Sequence, residues 1–267
     1  MRIDTWLEKA QKTLNANNIG SARLDCLMLL EDAFNKDRAR LLAHPEQEIP
    51  PTTEVELNKK IAQRAKHTPL AYIRGKVFFY GRTFIVTKAV LVPRPETESM
   101  ITLLTQLGLP KQIHIADIGA GSGCIGITAG LELENAIVDL FDVDPKALSV
   151  AKQNAQIYLP VATITQANLL EAISKPYDVM LANLPYVPDD YPINNAASHE
   201  PKQALFAGVD GLDVYRKFWH QLSQAAPPPT FIITESLPEQ HEALIKLAND
   251  AGYKLQQSDG LAQCFSR

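Results

Sequence analysis

The chain contains little cysteine and no long run of apolar residues. Its three cysteines, Cys26, Cys124 and Cys264, are far apart and form no CxxC pair, and its six histidines show no metal-ligand spacing. We therefore expect a reduced protein without a disulfide framework or a bound metal. No apolar stretch approaches the ~18 residues that a membrane-spanning helix needs. Because the first residues also run straight into an amphipathic pattern, we expect neither export nor membrane insertion, and we expect a cytoplasmic protein.

An excess of basic residues is also missing. The net charge is −4, with 12 Lys and Arg against 10 Asp and Glu in residues 1–75 and 14 against 20 in residues 76–267. A basic excess usually marks a surface that binds nucleic acid, so we expect no direct binding of nucleic acid. The apolar fraction of 46% and the charged fraction of 21% are those of an ordinary globular protein.

The N-terminal part of the sequence is patterned as four short helices. Residues 3–16 place their apolar side chains on one helical face, and a second such segment follows Ser21. Asp37 is positioned to cap a third helix, and Thr53 with Glu56 forms a capping-box pattern at the start of a fourth. This succession of short helices predicts a small bundle.

The pattern changes from helical to extended near residue 76. Two runs rich in β-branched and aromatic residues, 77–80 and 83–86, flank a Gly-Arg pair. They predict a β-hairpin, and Gly81 at the first turn position favours a type II′ turn. The chain is therefore predicted to have three parts, which are a helical domain over 1–75, a hairpin linker over 76–92 and a larger domain over 93–267.

Strand and helix patterns alternate through the larger domain. Repeated βα units predict an α/β fold with a doubly wound, mostly parallel sheet and right-handed crossovers. The predicted strands cover 113–118, 137–142, 161–165, 177–182, 230–234, 253–255 and 262–265, and the predicted helices cover 124–131, 145–155, 212–225 and 239–250.

A polar tetrapeptide, Asn-Leu-Pro-Tyr at 183–186, directly follows one buried strand. We call it the Asn-Leu-Pro-Tyr turn. In open α/β sheets ligands bind beyond the carboxyl ends of the strands, where this turn is expected. Asn183 offers a side-chain acceptor and donor, Leu184 a backbone carbonyl and Tyr186 an aromatic face, while Pro185 biases Leu184 away from helix. The group suits a planar amide or amine, although an ordinary proline turn in which Asn183 satisfies its own backbone is the alternative.

A glycine-rich segment follows the first strand of the predicted sheet. Residues 117–123 read D-x-G-x-G-x-G, and Asp142 ends the next strand, where a carboxylate can accept from ribose hydroxyls. Gly119 and Gly121 allow a tight turn and a close approach of a ligand to the backbone. The spacing resembles the first motif of class I methyltransferases, which bind S-adenosylmethionine. A ligand-free glycine turn is the alternative, and Asp117 either orients the cofactor or braces the loop.

Taken together, the motifs resemble one family, the HemK/PrmC glutamine N5-methyltransferases. The resemblance covers nearly the whole chain and is specific, because PRPETE and Asn-x-Pro-Tyr occur together. The matching segments are 69–73 with the hairpin, PRPETE at 93–98, GAGSGCIGI at 119–127, Asp142 with 147–148, the Asn-Leu-Pro-Tyr turn and 200–212.

This resemblance implies an activity and a set of site residues. The enzyme would methylate the glutamine of the GGQ motif in class I peptide chain release factors, and the helical domain would help to dock that substrate. Asn183 and the Leu184 carbonyl would take the two amide hydrogens of the glutamine, with Pro185 and Tyr186 packing on it. The cofactor S-adenosyl-L-methionine would lie against Gly119, Ala120, Gly121, Ser122, Gly123, Asp142, Leu169 and Asn183.

The sequence departs from the family at three places. Leu184 stands where the family usually has a first proline, so the conformation of Asn183 is less restricted and turnover is expected to be slower. Residues 234–236 (Thr-Glu-Ser) stand where Glu-Ile-Gly is usual, and Gln263 where an arginine is common. Two alternatives therefore stay open, which are an amino-methyltransferase acting on adenine in DNA or RNA and a cofactor-binding homologue with reduced activity.

Overall fold

The computed structural model describes residues 1–224 and 227–267, which form two compact units. The first contains Met1–Gly75 with Ile193–His199, and the second contains Lys76–Pro192 with Glu200–Arg267. Within the described ranges, no helix is both long and apolar enough to cross a membrane.

The first unit is a helical bundle. Its helices are α1 (Ile3–Ala16), α2 (Ala22–Phe34), α3 (Arg38–Ala43), α4 (Pro51–Ala65) and α5 (Leu70–Arg74). Buried Trp6 and Leu30 belong to one apolar cluster, and the Trp6 indole donates to Asn58 Oδ1 at 2.9 Å. A largely buried ion pair, Arg64 Nε to Asp25 Oδ2 at 2.6 Å, ties α4 to α2. Apolar burial and a few directed polar contacts hold this bundle together.

Two local predictions about helix starts have different outcomes. Asp37 caps α3 as predicted, since its side chain accepts from the Arg40 amide. The capping box at Thr53 and Glu56 is wrong, because α4 begins earlier, at Pro51, without a side-chain cap. Proline suits the first helical position, where its fixed φ is already helical and its missing N–H would have no partner inside the helix.

The hairpin forms where the sequence predicts it, but its turn type differs. Strands β1 (Lys76–Phe79) and β2 (Arg82–Ile85) pair so that Phe79 lies opposite Arg82. The two turn residues are therefore Tyr80 and Gly81, with φ of 45° and 79°. A positive φ at both positions is the mark of a type I′ turn, so the prediction of type II′ with Gly81 first is wrong.

The second unit carries a seven-stranded sheet, as the repeated βα units predict. Its strand order is β5-β4-β3-β6-β7-β9-β8, in which the first five are parallel and β9 is antiparallel to both of its neighbours. The strands are β3 (His114–Ile118), β4 (Ile137–Asp142), β5 (Thr163–Gln166), β6 (Val179–Ala182), β7 (Phe231–Glu235), β8 (Lys254–Asp259) and β9 (Ala262–Ser266). The helices are α6 (Glu98–Gln106), α7 (Cys124–Glu132), α8 (Pro145–Tyr158), α9 (Asp213–Gln224) and α10 (His241–Asp250).

Boundaries shift by a few residues from those expected. Helix α8 continues to Tyr158 rather than to 155, and β5 begins at Thr163 rather than at 161. The predicted helix 212–225 is α9, and residue 225 lies outside the described residues. Because β3 lies between β4 and β6, the order in which successive strands are added to the sheet reverses there, and a crevice opens beyond the ends of these three parallel strands.

Candidate active site

A cleft of about 240 Å³ opens at this switch point in the second unit. It is lined by the loop after β3, by Asp142 at the end of β4, by Leu169 after β5 and by the turn after β6. The residues Gly119, Ala120, Gly121, Ser122, Asn183, Leu184 and Pro185 line it as well. Of the predicted site residues, Gly123 and Tyr186 stand outside this lining in the part of the chain that the structure describes.

The loop after β3, which we call the glycine loop (residues 119–123), is fixed by backbone hydrogen bonds. The amides of Gly119 and Ala120 both donate to the Phe141 carbonyl, at 2.8 and 2.9 Å. Gly119 has a φ of 74°, which favours glycine. Gly123 faces the core instead, because a Cβ there would lie 3.0 Å from Ile127 Cδ1. At Gly119 and Gly121 the loop thus presents bare backbone to the cleft, which Ala120 and Ser122 line as well.

Asp142 connects the glycine loop to the end of β4. Its Oδ2 accepts from the Gly121 amide and its Oδ1 from the Asp144 amide, both at 2.8 Å. Burial raises the pKa of Asp142, and these two backbone donors act in the opposite direction by stabilising the charged form. Each carboxylate oxygen keeps a further lone pair, so the group can still accept from a ligand hydroxyl.

Asp117 connects the end of β3 to the start of α7, the two elements that the glycine loop joins. Its side chain is fully buried, and its Oδ2 accepts from the Gly126 amide in the first turn of α7 at 2.8 Å. Burial raises the pKa of Asp117 to about 7. Of the two roles left open by the sequence, this contact favours bracing.

The Asn-Leu-Pro-Tyr turn is held by side chains that come from elsewhere in the chain. Asn183 Nδ2 donates to Glu235 Oε1 at 3.1 Å and to Thr97 Oγ1 at 3.4 Å. The Tyr186 hydroxyl donates to the same Glu235 oxygen at 2.9 Å, and burial raises the pKa of Tyr186, so the phenol keeps its proton. These contacts differ from an ordinary proline turn in which Asn183 satisfies its own backbone.

Leu184 lies between this turn and the glycine loop. Its side chain is buried, and Leu184 Cδ2 lies 3.1 Å from where a Cβ on Gly119 would be. The Leu184 amide donates to the Tyr215 hydroxyl at 3.4 Å, and that hydroxyl lies 2.8 Å from the Ala182 carbonyl oxygen. A proline at 184 would have no N–H for this contact.

Glu235 is a residue of the site to which the sequence analysis assigned no role, although it named residues 234–236 as a departure from the family. It ends β7, is 1% exposed, and burial raises the pKa of its carboxyl group. A signal was present, since an acidic residue ending an apolar strand is the same feature that singled out Asp142. Only the register of β6 and β7, which pairs Ala182 with Thr234, brings Glu235 beside the turn.

The PRPETE segment also contributes to the site. Arg94 lines the cleft, and its Nη2 donates to Glu200 Oε1 at 2.6 Å. Glu200 Oε2 accepts from the Val92 amide at 3.0 Å. Two segments far apart in sequence, 93–98 and 200–212, are thereby joined at the cleft. The pairing gives the PRPETE segment a contact at the cleft in addition to its place at the start of α6.

Comparison with known proteins places both units in described families. Residues 5–75 match the PrmC N-terminal domain, and residues 97–203 match the methyltransferase small domain. The release factor glutamine methyltransferase of Koribacter versatilis is 33% identical over 88% of this chain and 86% of its own length. That of Coxiella burnetii is 31% identical over 87% and 85%.

Solved structures share the fold at low identity. The catalytic domain of hMettl16 in complex with MAT2A 3'UTR hairpin 1 superposes with a TM-score of 0.56, at 14% identity, over 90% of this chain and 89% of that one. At this identity the likeness shows the class I methyltransferase fold, as expected from the sequence, and says nothing about the substrate.

Proposed function

Because the chain belongs to the family of release factor glutamine methyltransferases, we propose that it methylates the GGQ glutamine of class I peptide chain release factors. The methyl group comes from the sulfonium of S-adenosyl-L-methionine and is transferred to the side-chain amide nitrogen, N5. The products are S-adenosyl-L-homocysteine and the methylated amide, whose nitrogen releases one of its two hydrogens as a proton to solvent. One observation carries the proposal beyond family membership: Leu184 of the Asn-Leu-Pro-Tyr turn packs directly against Gly119 of the glycine loop. A carboxamide held by the turn is therefore adjacent to a ligand held by the loop.

The residues of the cleft fit the cofactor. Gly119 and Gly121 of the glycine loop offer backbone without side chains, as a closely approaching ligand requires. Asp142 has lone pairs available for the ribose hydroxyls, and Leu169 offers an apolar wall for the adenine. Ala120 and Ser122 complete this part of the cleft wall, and Gly123 supports it by packing against the core. When bound, the cofactor supplies a methyl group activated on a sulfonium centre.

The turn supplies the acceptor site. Since Asn183 Nδ2 already donates to Glu235, its Oδ1 is left to accept one hydrogen of the substrate amide. The Leu184 carbonyl accepts the other hydrogen, and Pro185 and Tyr186 pack on the amide plane. An amide nitrogen is a weak nucleophile because its lone pair is delocalised. Holding both hydrogens fixes the direction of the nitrogen, so catalysis rests on orientation and electrostatics rather than on a strong base.

The helical unit has a separate role in this proposal. The predicted domain of residues 1–75 helps to dock the release factor, while the larger domain carries the cofactor and the chemistry. We propose the release factor itself as the partner, because the acceptor glutamine lies in its polypeptide. The acidic balance of residues 76–267 disfavours a nucleic-acid substrate.

Methyl transfer from labelled cofactor tests the proposed function. The purified protein is incubated with a class I release factor, with duplex DNA or with RNA, in separate reactions. We expect label on the release factor alone. Label on the nucleic acid and none on the protein would overturn the proposal in favour of an adenine methyltransferase, and cofactor binding without transfer to any of the three would leave a homologue that has lost turnover.

A further inference from the structure

Glu235 makes contacts that packing alone does not require. It is buried at the end of β7, yet a single oxygen of its carboxylate, Oε1, accepts from both Asn183 and Tyr186. On the basis of the proposed function, we propose that Glu235 is a positioning residue for methyl transfer, which fixes the Asn183 carboxamide so that its oxygen accepts from the substrate amide.

The two ends of the Asn183 carboxamide differ in chemistry but hardly in shape. Its oxygen and nitrogen are nearly equal in size, so shape alone does not distinguish two orientations related by a half turn. In one orientation the substrate amide meets an acceptor. In the other it meets an NH2 group, and two donors face each other. The acceptor site therefore needs a group that recognises one end of the carboxamide.

A carboxylate is such a group because it only accepts hydrogen bonds. Burial raises the pKa of Glu235, but the hydrogen bonds from Thr97, Tyr186 and Asn183 act in the opposite direction by stabilising the charged form. Glu235 Oε1 lies 3.1 Å from Asn183 Nδ2, and the reversed carboxamide would place two oxygens at that distance. The repulsion between them disfavours the reversed orientation. Glu235 thus holds the nitrogen end of Asn183 and leaves the oxygen end available at the cleft, which Asn183 lines.

Glu235 also contacts the other end of the turn. The Tyr186 hydroxyl donates to the same Oε1 at 2.9 Å. One oxygen atom therefore joins the first and last residues of the Asn-Leu-Pro-Tyr turn. This link replaces some of the restriction that a proline at 184 would impose on Asn183. In this chain, the orientation of Asn183 depends on Glu235 more than on the local backbone.

Glu235 is itself held by the sheet and by Tyr215. Ala182 pairs with Thr234 in the parallel register of β6 and β7, so Asn183 and Glu235 are the next residues along adjacent strands. The Tyr215 hydroxyl lies 2.7 Å from the Glu235 carbonyl oxygen and accepts from the Glu235 amide at 3.3 Å. The backbone of Glu235 is thus fixed independently of its carboxylate. Replacing the carboxylate therefore changes the turn without removing the strand that carries it.

The test compares Glu235→Gln with the matched substitution Glu239→Gln. Glu239 is an exposed residue of the segment after β7, so its variant controls for the loss of one charge. For Glu235→Gln we expect kcat to fall about 10- to 100-fold, as for a misplaced reacting group. KM for the release factor, the Kd for the cofactor and the melting temperature should stay close to those of Glu239→Gln. Glutamine can donate as well as accept, so both orientations of Asn183 become accessible.

Nuclear magnetic resonance gives a readout that does not need turnover. The side-chain amide signals of Asn183 are assigned by their loss in Asn183→Ala. In the wild type we expect one pair of signals, displaced by the carboxylate acceptor, and in Glu235→Gln we expect the pair to shift or split. A Glu235→Asp variant, which keeps the charge on a shorter side chain, should recover part of the lost kcat.

The possible results separate the positioning role of Glu235, a structural role of Glu235 and the proposed function. An unchanged kcat in Glu235→Gln would overturn the positioning role. Side-chain amide signals of Asn183 that stay the same in Glu235→Gln would overturn it as well. A parallel loss of kcat, cofactor binding and melting temperature would show a structural role instead. If the wild type transfers no methyl group to a release factor, the proposed function fails, while the Asn183 signals still decide whether Glu235 orients that residue.

Discussion

The glycine loop and the Asn-Leu-Pro-Tyr turn form two sides of the same cleft but are stabilised in different ways. The loop is held through its backbone groups, with the amides of Gly119 and Ala120 on the Phe141 carbonyl of β4 and the Gly121 amide on Asp142. The turn is held by side chains from other elements, chiefly Glu235 and Tyr215. A site for a cofactor needs a fixed, open backbone surface. A site for an amide needs acceptors aimed in one direction, which only supporting side chains can fix.

The largest effect should come from removing the acceptor itself. Asn183→Ala is expected to lower methyl transfer by at least about 10²-fold, the size of effect found on removing one preorganised hydrogen-bonding group. Cofactor affinity should stay within about 10-fold, because the main role of Asn183 is on the acceptor amide. Single-turnover transfer and calorimetric titration with cofactor measure the two quantities. A variant that retained the wild-type rate would show that the acceptor site lies elsewhere.

A substitution in the glycine loop should weaken cofactor binding, whereas Asn183→Ala should mainly lower methyl transfer. Gly119→Ala puts a Cβ at a φ of 74° and 3.1 Å from Leu184 Cδ2. Gly260→Ala has the same sign of φ, at 56°, with no atom within 4 Å. Both variants should lose about 1 to 2 kcal/mol of stability from the left-handed backbone.

Only Gly119→Ala should also weaken cofactor binding. We expect a loss of affinity of about 10-fold or more, which corresponds to ~1.4 kcal/mol of binding free energy. Thermal unfolding and cofactor titration on both variants separate backbone strain from damage to the cleft. Equal cofactor affinity in the two variants would mean that the side of Gly119 facing Leu184 does not shape the binding surface.

The buried carboxylate below the loop should make stability depend on pH. The pKa of Asp117 is raised by burial from 3.8 to about 7, so the folded protein binds a proton more readily than the unfolded chain. Its contribution to stability is therefore fully present below about pH 4 and is lost as the pH rises through 7. Relative to Asp117→Asn, the wild type should lose free energy of unfolding between pH 5 and pH 8. Urea titrations at the two pH values measure this difference, and a constant difference would contradict it.

The smallest effect should come from restoring the usual residue of the family at 184. Leu184→Pro removes the N–H that donates to Tyr215 and the side chain that packs on Gly119. We expect about 1 kcal/mol or more of lost stability from the hydrogen bond and packing together. We also expect a rise of a few-fold in kcat, because two prolines restrict Asn183 further. A lower kcat with intact cofactor binding would show that the leucine is adapted to this site.

The contrast between loop and turn also explains what the sequence predicts well. The mostly parallel sheet and the place of the glycine loop follow from local patterns, since apolar strands, glycine spacing and Asp142 act over a few residues. The support for the turn does not follow from local patterns, because Glu235 is 52 residues from Asn183 and reaches it only through strand register. The errors at Thr53 and at the Tyr80-Gly81 turn are of another kind. The local sequence is compatible with two helix starts in the first case and with two turn types in the second, and the pattern does not distinguish them. The three-part division at residues 75 and 92 stays a prediction, as do the roles of the individual site residues.

The most direct test of the account is the mass of one peptide. A class I release factor is incubated with this protein and S-adenosyl-L-methionine, digested, and the peptide that contains GGQ is fragmented. The account predicts one added methyl group on the glutamine side chain, and none when the enzyme carries Asn183→Ala. An unmodified GGQ glutamine with the wild-type enzyme, or a methyl group on a different residue, would contradict it.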